Sequence, residues 1–394
     1  NADAVVEVTR RLDGLPLAAE IAAARVVAFT PAELLESLEH STRLLRSKDP
    51  SLPGRHRTLE SLLLWSEGLL TPGEQATLRR LAVFAGPFTL AQAQVAAEGP
   101  EDEPDLVPDH VWSLVDHSIV LADTATGGTR YRMLDLVRRF VRRRLMESGE
   151  EADTALRGGL MFATQVGPRH ASSQQWSRVV AADLDSVRSV AGVLYRSGDS
   201  RAIDVAGELS VATLRYLDGV QAYRVAISEA EGWLGVMPAR PVRVAVMSAL
   251  AMLHLRADEV TEAAQLAAQA QELKSDVGEP SWEPFGPERA RGEVAIRSGR
   301  PDDAIAIAEQ ALQTSVGPRG RTRLFSMLGR ALVQRGDLDA AAEAYHGELE
   351  ASLELGDDMM TTIAQANAAE LALRRGRPHD AAEHQLECLA LARA

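Results

Sequence analysis

A short turn signal that recurs along the last hundred residues constrains this chain more than any other feature. It reads Gly299-Arg300-Pro301-Asp302-Asp303-Ala304, then Gly336-Asp337-Leu338-Asp339-Ala340, then Gly376-Arg377-Pro378-His379-Asp380-Ala381, with the glycines 37 and 40 residues apart. Alanine-rich helical stretches run between the turns. A period of this size marks a supersecondary unit that cannot bury its apolar face alone and stacks on further copies of itself. Composition points the same way, because 46% hydrophobic residues with only 4% aromatics and abundant alanine favour closely packed helices over sheets. The expected fold class is therefore mainly α. At 394 residues the chain is long enough for two or three domains.

The clearest unit is 321–356, where Phe325, Leu328, Gly329, Leu332, Gly336, Ala341 and Tyr345 alternate large with small. Small residues let paired helices approach, and large ones fill the groove between them. These positions resemble those of a tetratricopeptide repeat, although the period is slightly above its ~34 residues. Weaker turns at Gly198-Asp199, Leu217-Asp218-Gly219 and Ala257-Asp258 suggest degenerate earlier repeats, and 278–287 reads as a connection between repeats. Residues 149–394 are thus expected to form an α-α superhelix of TPR-like repeats.

Ahead of Gly149 the texture differs. Residues 1–50 read as a helical segment broken at Gly14 and Pro16, with a capping box at Thr30-Pro31-Ala32-Glu33 and turn chemistry over 47–54. Residues 51–148 open with an amphipathic helix from Arg57 that carries Leu59, Leu62, Leu63 and Trp65. A capping box at Thr71-Pro72-Gly73-Glu74 starts a helix whose apolar face is Leu78, Leu81, Ala82 and Phe84, and Thr89 with Gln92 starts the next. An acidic loop to Pro108 leads into a helix over 109–116. Ile119-Val120-Leu121 and Arg130-Tyr131-Arg132-Met133 then form a small β-hairpin around Gly127-Gly128. Helices followed by such a two-stranded wing describe a winged-helix domain. In that fold the helix before the wing reads base edges with Arg, Lys, Asn or Gln. Here it is DHVWSLVDH, with two aspartates and no Arg or Lys, so direct DNA contact by this chain is not expected.

Basic charge follows the wing instead. Residues 130–144, RYRMLDLVRRFVRRR, hold seven arginines against Asp135 inside a chain of formal net charge −14. Leu136, Val137, Phe140, Val141 and Leu145 give the same helix a buried face. Arg138, Arg139, Arg142 and Arg143 then form either a solvated side or an interface for phosphates or an acidic neighbour.

Catalytic chemistry finds little support. A phosphate-cradling loop needs Gly-Lys-Ser/Thr, and neither Lys48 nor Lys274, the two lysines, has that context. No G-x-S-x-G or H-E-x-x-H occurs, and His379 and His384 are spaced poorly for one helical face, so no metal site and no enzyme activity is expected. The single cysteine, Cys388, excludes an internal disulfide framework, which makes a reducing, cytoplasmic setting the default. No apolar run reaches the ~20 residues needed to span a bilayer, so no membrane partner is expected. The first residue is Asn1, as in a piece of a longer protein.

Three stretches carry a resemblance: GLPLAAEIAAAR at 14–25, LPGRHRTLESLLLWSEGLLTPGEQATLRRLAVFAGPFTLAQA from 52, and YRMLDLVRRFVRRRL from 131. Followed by helical repeats, they resemble the region after the nucleotide-binding domain in bacterial STAND-class regulatory ATPases, which include LuxR-type and SARP (AfsR-like) transcriptional regulators. The resemblance implies an ARC-like helical segment over 1–50, a winged helix acting as an internal switch, and a repeat sensor. It also implies an upstream P-loop ATPase domain as partner. ATP or ADP would then be the cofactor of the full-length protein, with none held by this chain. By position, Pro16 matches the family proline near the adenine. Met133-Leu134-Asp135 aligns with a Met-His-Asp motif whose histidine approaches the diphosphate; Leu134 cannot donate that hydrogen bond. The expected function is the sensor portion of an ATP-binding transcriptional regulator, its repeats binding a peptide, protein or small effector and controlling the ATPase through the winged helix. The alternatives are a stand-alone winged-helix DNA-binding protein with a repeat interaction module, or a TPR scaffold.

Overall fold

The computed structural model describes residues 2–11, 30–40, 67–68, 70–99, 106–117, 119–124, 128–167, 174–282, 286–314 and 317–393. Gly14, Pro16, the turn over 47–54, the helix start from Arg57 through Trp65, most of the acidic loop and Gly127 lie outside them. By contacts the chain divides into two compact units, Asn1–Met161 and Phe162–Ala394.

In the first unit, α1 (Ala2–Arg11) packs on α2 (Pro31–His40). The expected capping box opens α2: the Thr30 amide donates to Glu33 Oε2 at 2.8 Å and the Glu33 amide to Thr30 Oγ1 at 3.3 Å. The same reciprocal pair opens α3 (Pro72–Leu81) at Thr71 and Glu74, and Thr89 with Gln92 opens α4 (Leu90–Ala97). The sequence pattern carries α3 on to Phe84, but the helix stops at Leu81. Ala82, Val83 and Phe84 are buried all the same, in the turn that follows. Helix α5 spans Val107–Asp116, so Pro108 stands inside its first turn instead of in the loop; the missing proline N–H is harmless there.

The wing pairs β1 (Val120–Asp123) with β2 (Arg130–Met133) in antiparallel register, Val120 opposite Met133 and Asp123 opposite Arg130. A third, single-residue rung escapes the sequence pattern. Phe88 and Tyr131 exchange both backbone hydrogen bonds, at 2.8 and 2.7 Å, tying the turn before α4 to the wing. The Phe88 ring stacks on Phe84 and on Tyr131, with centroids 5.1 and 6.2 Å apart. With Leu81, Val111, Leu114 and Leu145 these rings form the interior of the unit. Helix α6 (Asp135–Glu147) leaves the wing directly, and α7 (Glu151–Val166) follows it.

The second unit is a stack of antiparallel helical hairpins. After α8 (Gln174–Arg196) they are α9 (Ser200–Gly219) with α10 (Tyr223–Leu234), α11 (Pro241–Arg256) with α12 (Val260–Val277), and α13 (Gly286–Arg297) with α14 (Pro301–Leu312). The last two are α15 (Pro318–Arg335) with α16 (Leu338–Leu355), and α17 (Asp358–Arg374) with α18 (Pro378–Arg393). Each hairpin turns through one left-handed residue, and the next amide reaches back five residues to close the first helix. The closures are Ala222 to Leu217, Glu259 to His254, Arg300 to Ala295, Asp337 to Leu332 and Arg377 to Ala372. Glycine holds the left-handed position at Gly299, Gly336 and Gly376, but Gln221 (φ 60°) and Asp258 (φ 66°) hold it in the first two hairpins.

That substitution hides the early repeats from a glycine-based reading. It also moves one turn: residues 217–219, expected as a break, complete α9, and the chain turns at Gln221. Likewise Gly286 and Pro287, expected in a connection, begin α13. The large and small residues of the clearest repeat meet as their spacing implies. A Cβ on Gly329 would lie 2.3 Å from Tyr345 Cε1, and one on Gly347 would lie 3.0 Å from Phe325. Helices α15 and α16 therefore approach as closely as they do only because glycine faces each ring.

Candidate functional site

Each unit presents one candidate surface. In the first it is the outer side of α5 with the joint formed by β2 and α6. Val107, Val111 and Leu114 bury the inner side of α5. Two contacts seat the helix on the first two turns of α3. His110 Nδ1 lies 2.9 Å from Thr77 Oγ1, and Gly73 leaves room for the imidazole, since a Cβ there would come within 2.9 Å of His110 Cε1. The opposite side carries Asp109, Asp116, His117 and Trp112, whose indole is 57% exposed. No Arg or Lys occurs anywhere on α5. The position at which a winged helix reads DNA therefore offers phosphate and base edges an acidic, aromatic surface.

The joint is tied down by its own unit. Met133 and Leu134 point inward and are buried, and Leu134 supplies the cap backbone of α6, accepting from the Arg138 amide at 2.9 Å. Asp135 accepts from Arg138 at 3.3 Å and also pairs with Arg139. Arg142 pairs with Glu151 at 3.0 Å, and Arg144 reaches the buried Glu67 at 3.3 Å. Arg138, Arg139 and Arg142 are half-buried, whereas Arg143 and Arg144 are exposed. The structure thus gathers Met133, Leu134, Asp135 and the arginines at one corner; Pro16 lies outside the described residues.

Sequence reading missed the anchor of this corner. Arg80 is buried and donates to the Ala97 carbonyl at 2.8 Å and to Glu150 Oε1 at 2.7 Å, while Arg79 approaches the same carboxylate at 3.7 Å. Partial burial works against the charge of Glu150, but the Arg80 hydrogen bond and the two guanidinium charges outweigh it and hold that carboxyl below its ordinary range. The end of α6 is thereby fastened to α3 and α4.

The second candidate is a cavity of about 480 Å³ in the repeat stack, adjoining a narrower one of about 70 Å³. Every lining residue stands on the first helix of a hairpin, α9, α11, α13, α15 or α17. Arg256, Arg289, Arg297 and Arg330 line the larger cavity with Glu293, Ser326 and Asn367, and Met252, Leu255 and Ile363 supply an apolar side. Arg215 and Asp218 belong to the smaller one, which shares Met252, Arg256 and Arg289. Glu293 is buried and takes both terminal nitrogens of Arg330, one at 2.9 Å. Burial disfavours the Arg330 charge, yet Glu293 outweighs that and keeps the guanidinium firmly protonated. Asn367 Nδ2 donates to Glu348 at 3.0 Å and to Ser326 Oγ at 3.3 Å, and burial raises the Glu348 carboxyl despite that hydrogen bond.

None of these cavity residues stands out in the linear sequence. The signal that finds one of them per helix is register: seven residues before each of the first four closing amides (222, 259, 300, 337) stand Arg215, Met252, Glu293 and Arg330. Two of those turns lack the glycine that would reveal them. Along the hairpin turns a second series pairs Arg256 with Asp218 (3.6 Å), Arg297 with Asp258, Arg335 with Asp302 (3.3 Å) and Arg375 with Asp339. Among the described residues no group of acid, His and Cys side chains could hold a metal ion, and no helix is long and apolar enough to cross a membrane.

Residues 70–146 match the family model described as a winged helix-turn-helix domain, the same residues that build α3 to α6 with the wing. Among curated proteins, the chain is 46% identical over 150 residues to a Mycobacterium tuberculosis protein whose name describes an HTH-type transcriptional regulator. That match covers 38% of this chain and 17% of the relative, so the chain spans under a fifth of that protein's length. It is also 41% identical over 160 residues to an uncharacterized M. tuberculosis protein, covering 40% of each. Among solved structures, it is similar at 13% identity to a STAND protein with a tetratricopeptide repeat sensor from Pyrococcus horikoshii. That alignment covers 94% of this chain and 59% of the other, with a TM-score of 0.46. The chain therefore joins a winged helix-turn-helix domain to a stack of TPR-like helical hairpins.

Proposed function

We propose that this chain is the regulatory portion of an ATP-binding transcriptional regulator of the STAND class, of the LuxR or SARP type. In this reading an upstream P-loop ATPase domain of the same cytoplasmic protein binds ATP or ADP, and the repeats take up an effector. Effector binding shifts how the winged helix sits on the ATPase domain, a two-state element biased by two ligands. One observation carries the reading: α5 shows solvent Asp109, Trp112 and Asp116 where a DNA reader would show cations. A half-exposed indole ringed by carboxylates suits a protein neighbour with basic and apolar groups, and repels a phosphate backbone. The similarity to a protein named as an HTH-type regulator agrees with such a role.

The corner near Leu134 fits a relay better than direct nucleotide contact, because that side chain is buried within its own unit. Arg138, Arg139, Arg142 and Arg143 are the surface through which the relay acts. The test uses the full-length protein with and without residues 162–394, comparing ATP binding and ADP exchange. Faster exchange on removal of the repeats is expected; identical exchange would sink the autoinhibitory reading. Alanine at the four arginines should change exchange more than it changes the melting of this chain, and a change in melting alone would reduce them to a folding role.

A further inference from the structure

We infer that the larger repeat cavity binds a small organic anion, a molecule with an apolar body and a carboxylate or phosphate group. The inference rests on the sensor reading above and gives its effector a chemical class. Three observations meet in one place. First, the two adjoining cavities are lined by Arg215, Arg256, Arg289, Arg297 and Arg330 against the acids Asp218 and Glu293, a positive excess inside a chain of net charge −14. Walls of low dielectric focus such a field on whatever enters.

Second, the cationic groups are preorganised with donors to spare. Glu293 engages two nitrogens of Arg330, whereas the pairs of Arg256 with Asp218 at the end of α9 and of Arg297 with Asp258 in the next turn are partly exposed and contribute little. Each guanidinium has five N–H donors in a planar fork, so one carboxylate partner leaves donors for a second anion. Third, size and lining select the class. A half-open space of about 480 Å³ lined by four helices falls in the range of small-molecule sites. Met252, Leu255 and Ile363 add apolar surface to the same lining for the apolar body, and Ile363 is 41% exposed.

Calorimetric titration of the whole chain tests this with phenyl phosphate and phenylacetate as probes, benzyl alcohol as their uncharged counterpart, and hexaglutamate as a peptide anion. One or both aromatic anions should bind with 1:1 stoichiometry and a Kd near or below about 1 mM, and the alcohol at least about tenfold more weakly. Which anion binds more tightly separates a phosphate effector from a carboxylate one. Replacing Arg256 and Arg289 together by Gln should weaken the anion about tenfold or more, while Arg375→Gln, on the turn series outside the cavity, should leave it unchanged. Arg289→Lys, which keeps charge and loses the fork, should fall between; it also serves if the double variant melts early. No binding of either aromatic anion, equal binding of the alcohol, or binding of hexaglutamate alone would overturn the inference. Because binding is read on this chain without any regulatory output, its failure leaves open a sensor that answers to a protein, and the exchange assay judges that separately.

Discussion

The winged helix and the repeat stack hold their arginines in opposite ways. In the winged helix the arginines crowd together in sequence, and the fold then fastens many of them internally: Arg80 to Glu150 and the Ala97 carbonyl, Arg138 and Arg139 to Asp135, Arg142 to Glu151. In the stack the arginines are scattered in sequence from 215 to 330 over four helices, and the fold collects them in the lining of two adjoining cavities. A run of like charge therefore marks a helix face that needs partners. A ligand site is marked by what different helices bring to one place, and by donors left over once the internal partners are served.

Stability should follow the same division. The largest effect is expected at the closest helix approach in the stack: Gly329→Val drives a branched side chain into the Tyr345 ring and should cost about 3 kcal/mol in urea unfolding followed by circular dichroism. A loss under about 1 kcal/mol would mean the α15–α16 pair can spread. Next comes the ion pair of the winged helix. Arg80→Ala strands Glu150 and the Ala97 carbonyl and should cost about 2 kcal/mol, less than for a fully buried pair because Glu150 keeps 29% exposure. An unchanged midpoint would show that water replaces the guanidinium.

Asp258→Gly should act in the other direction. It relieves a left-handed residue at the cost of one exposed pair with Arg297, and a gain of about 1 kcal/mol is expected. A loss would show that the ion pair, and not the backbone, decides that turn. The smallest effects are in pH dependence, where the units should again differ in sign. Glu150 sits below its ordinary value of 4.5, so its contribution is present above that pH and is lost as acid takes the pH down through the folded value. Glu348 sits above 4.5, so its contribution is full below that pH and is lost as the pH rises through the folded value. Glu348→Gln should raise the midpoint at neutral pH and flatten its pH dependence, while Glu150→Gln should lower it; matching signs would break the contrast.

Much of the fold was legible in the sequence because it rests on local rules. The capping boxes at Thr30, Thr71 and Thr89, the hairpin of the wing, and the repeats with Gly299, Gly336 and Gly376 follow from hydrogen-bond geometry and backbone freedom within a few residues. The early turns stayed hidden because Gln221 and Asp258 occupy a conformation that favours glycine without requiring it. The Phe88–Tyr131 rung and the Arg80–Glu150 pair are long-range, and nothing in the spacing of those residues announces them. The acidic character of α5 was legible and the exposure of Trp112 was not, since a helix one side of which is apolar does not say where its tryptophan falls. The cavity was legible only through the register of the first four hairpins, two of which carry no glycine signal.

The central claim is that the winged helix faces a protein and not DNA. It is tested most directly by fluorescence anisotropy of a labelled duplex titrated with this chain from about 50 to 200 mM salt. No rise in anisotropy at the lowest salt is expected, because α5 carries carboxylates where phosphate contacts would be made and Arg138, Arg139 and Arg142 of α6 are engaged within the unit. A duplex affinity that falls steeply as salt is added, and that is lost when Arg143 and Arg144 are changed to alanine, would contradict it.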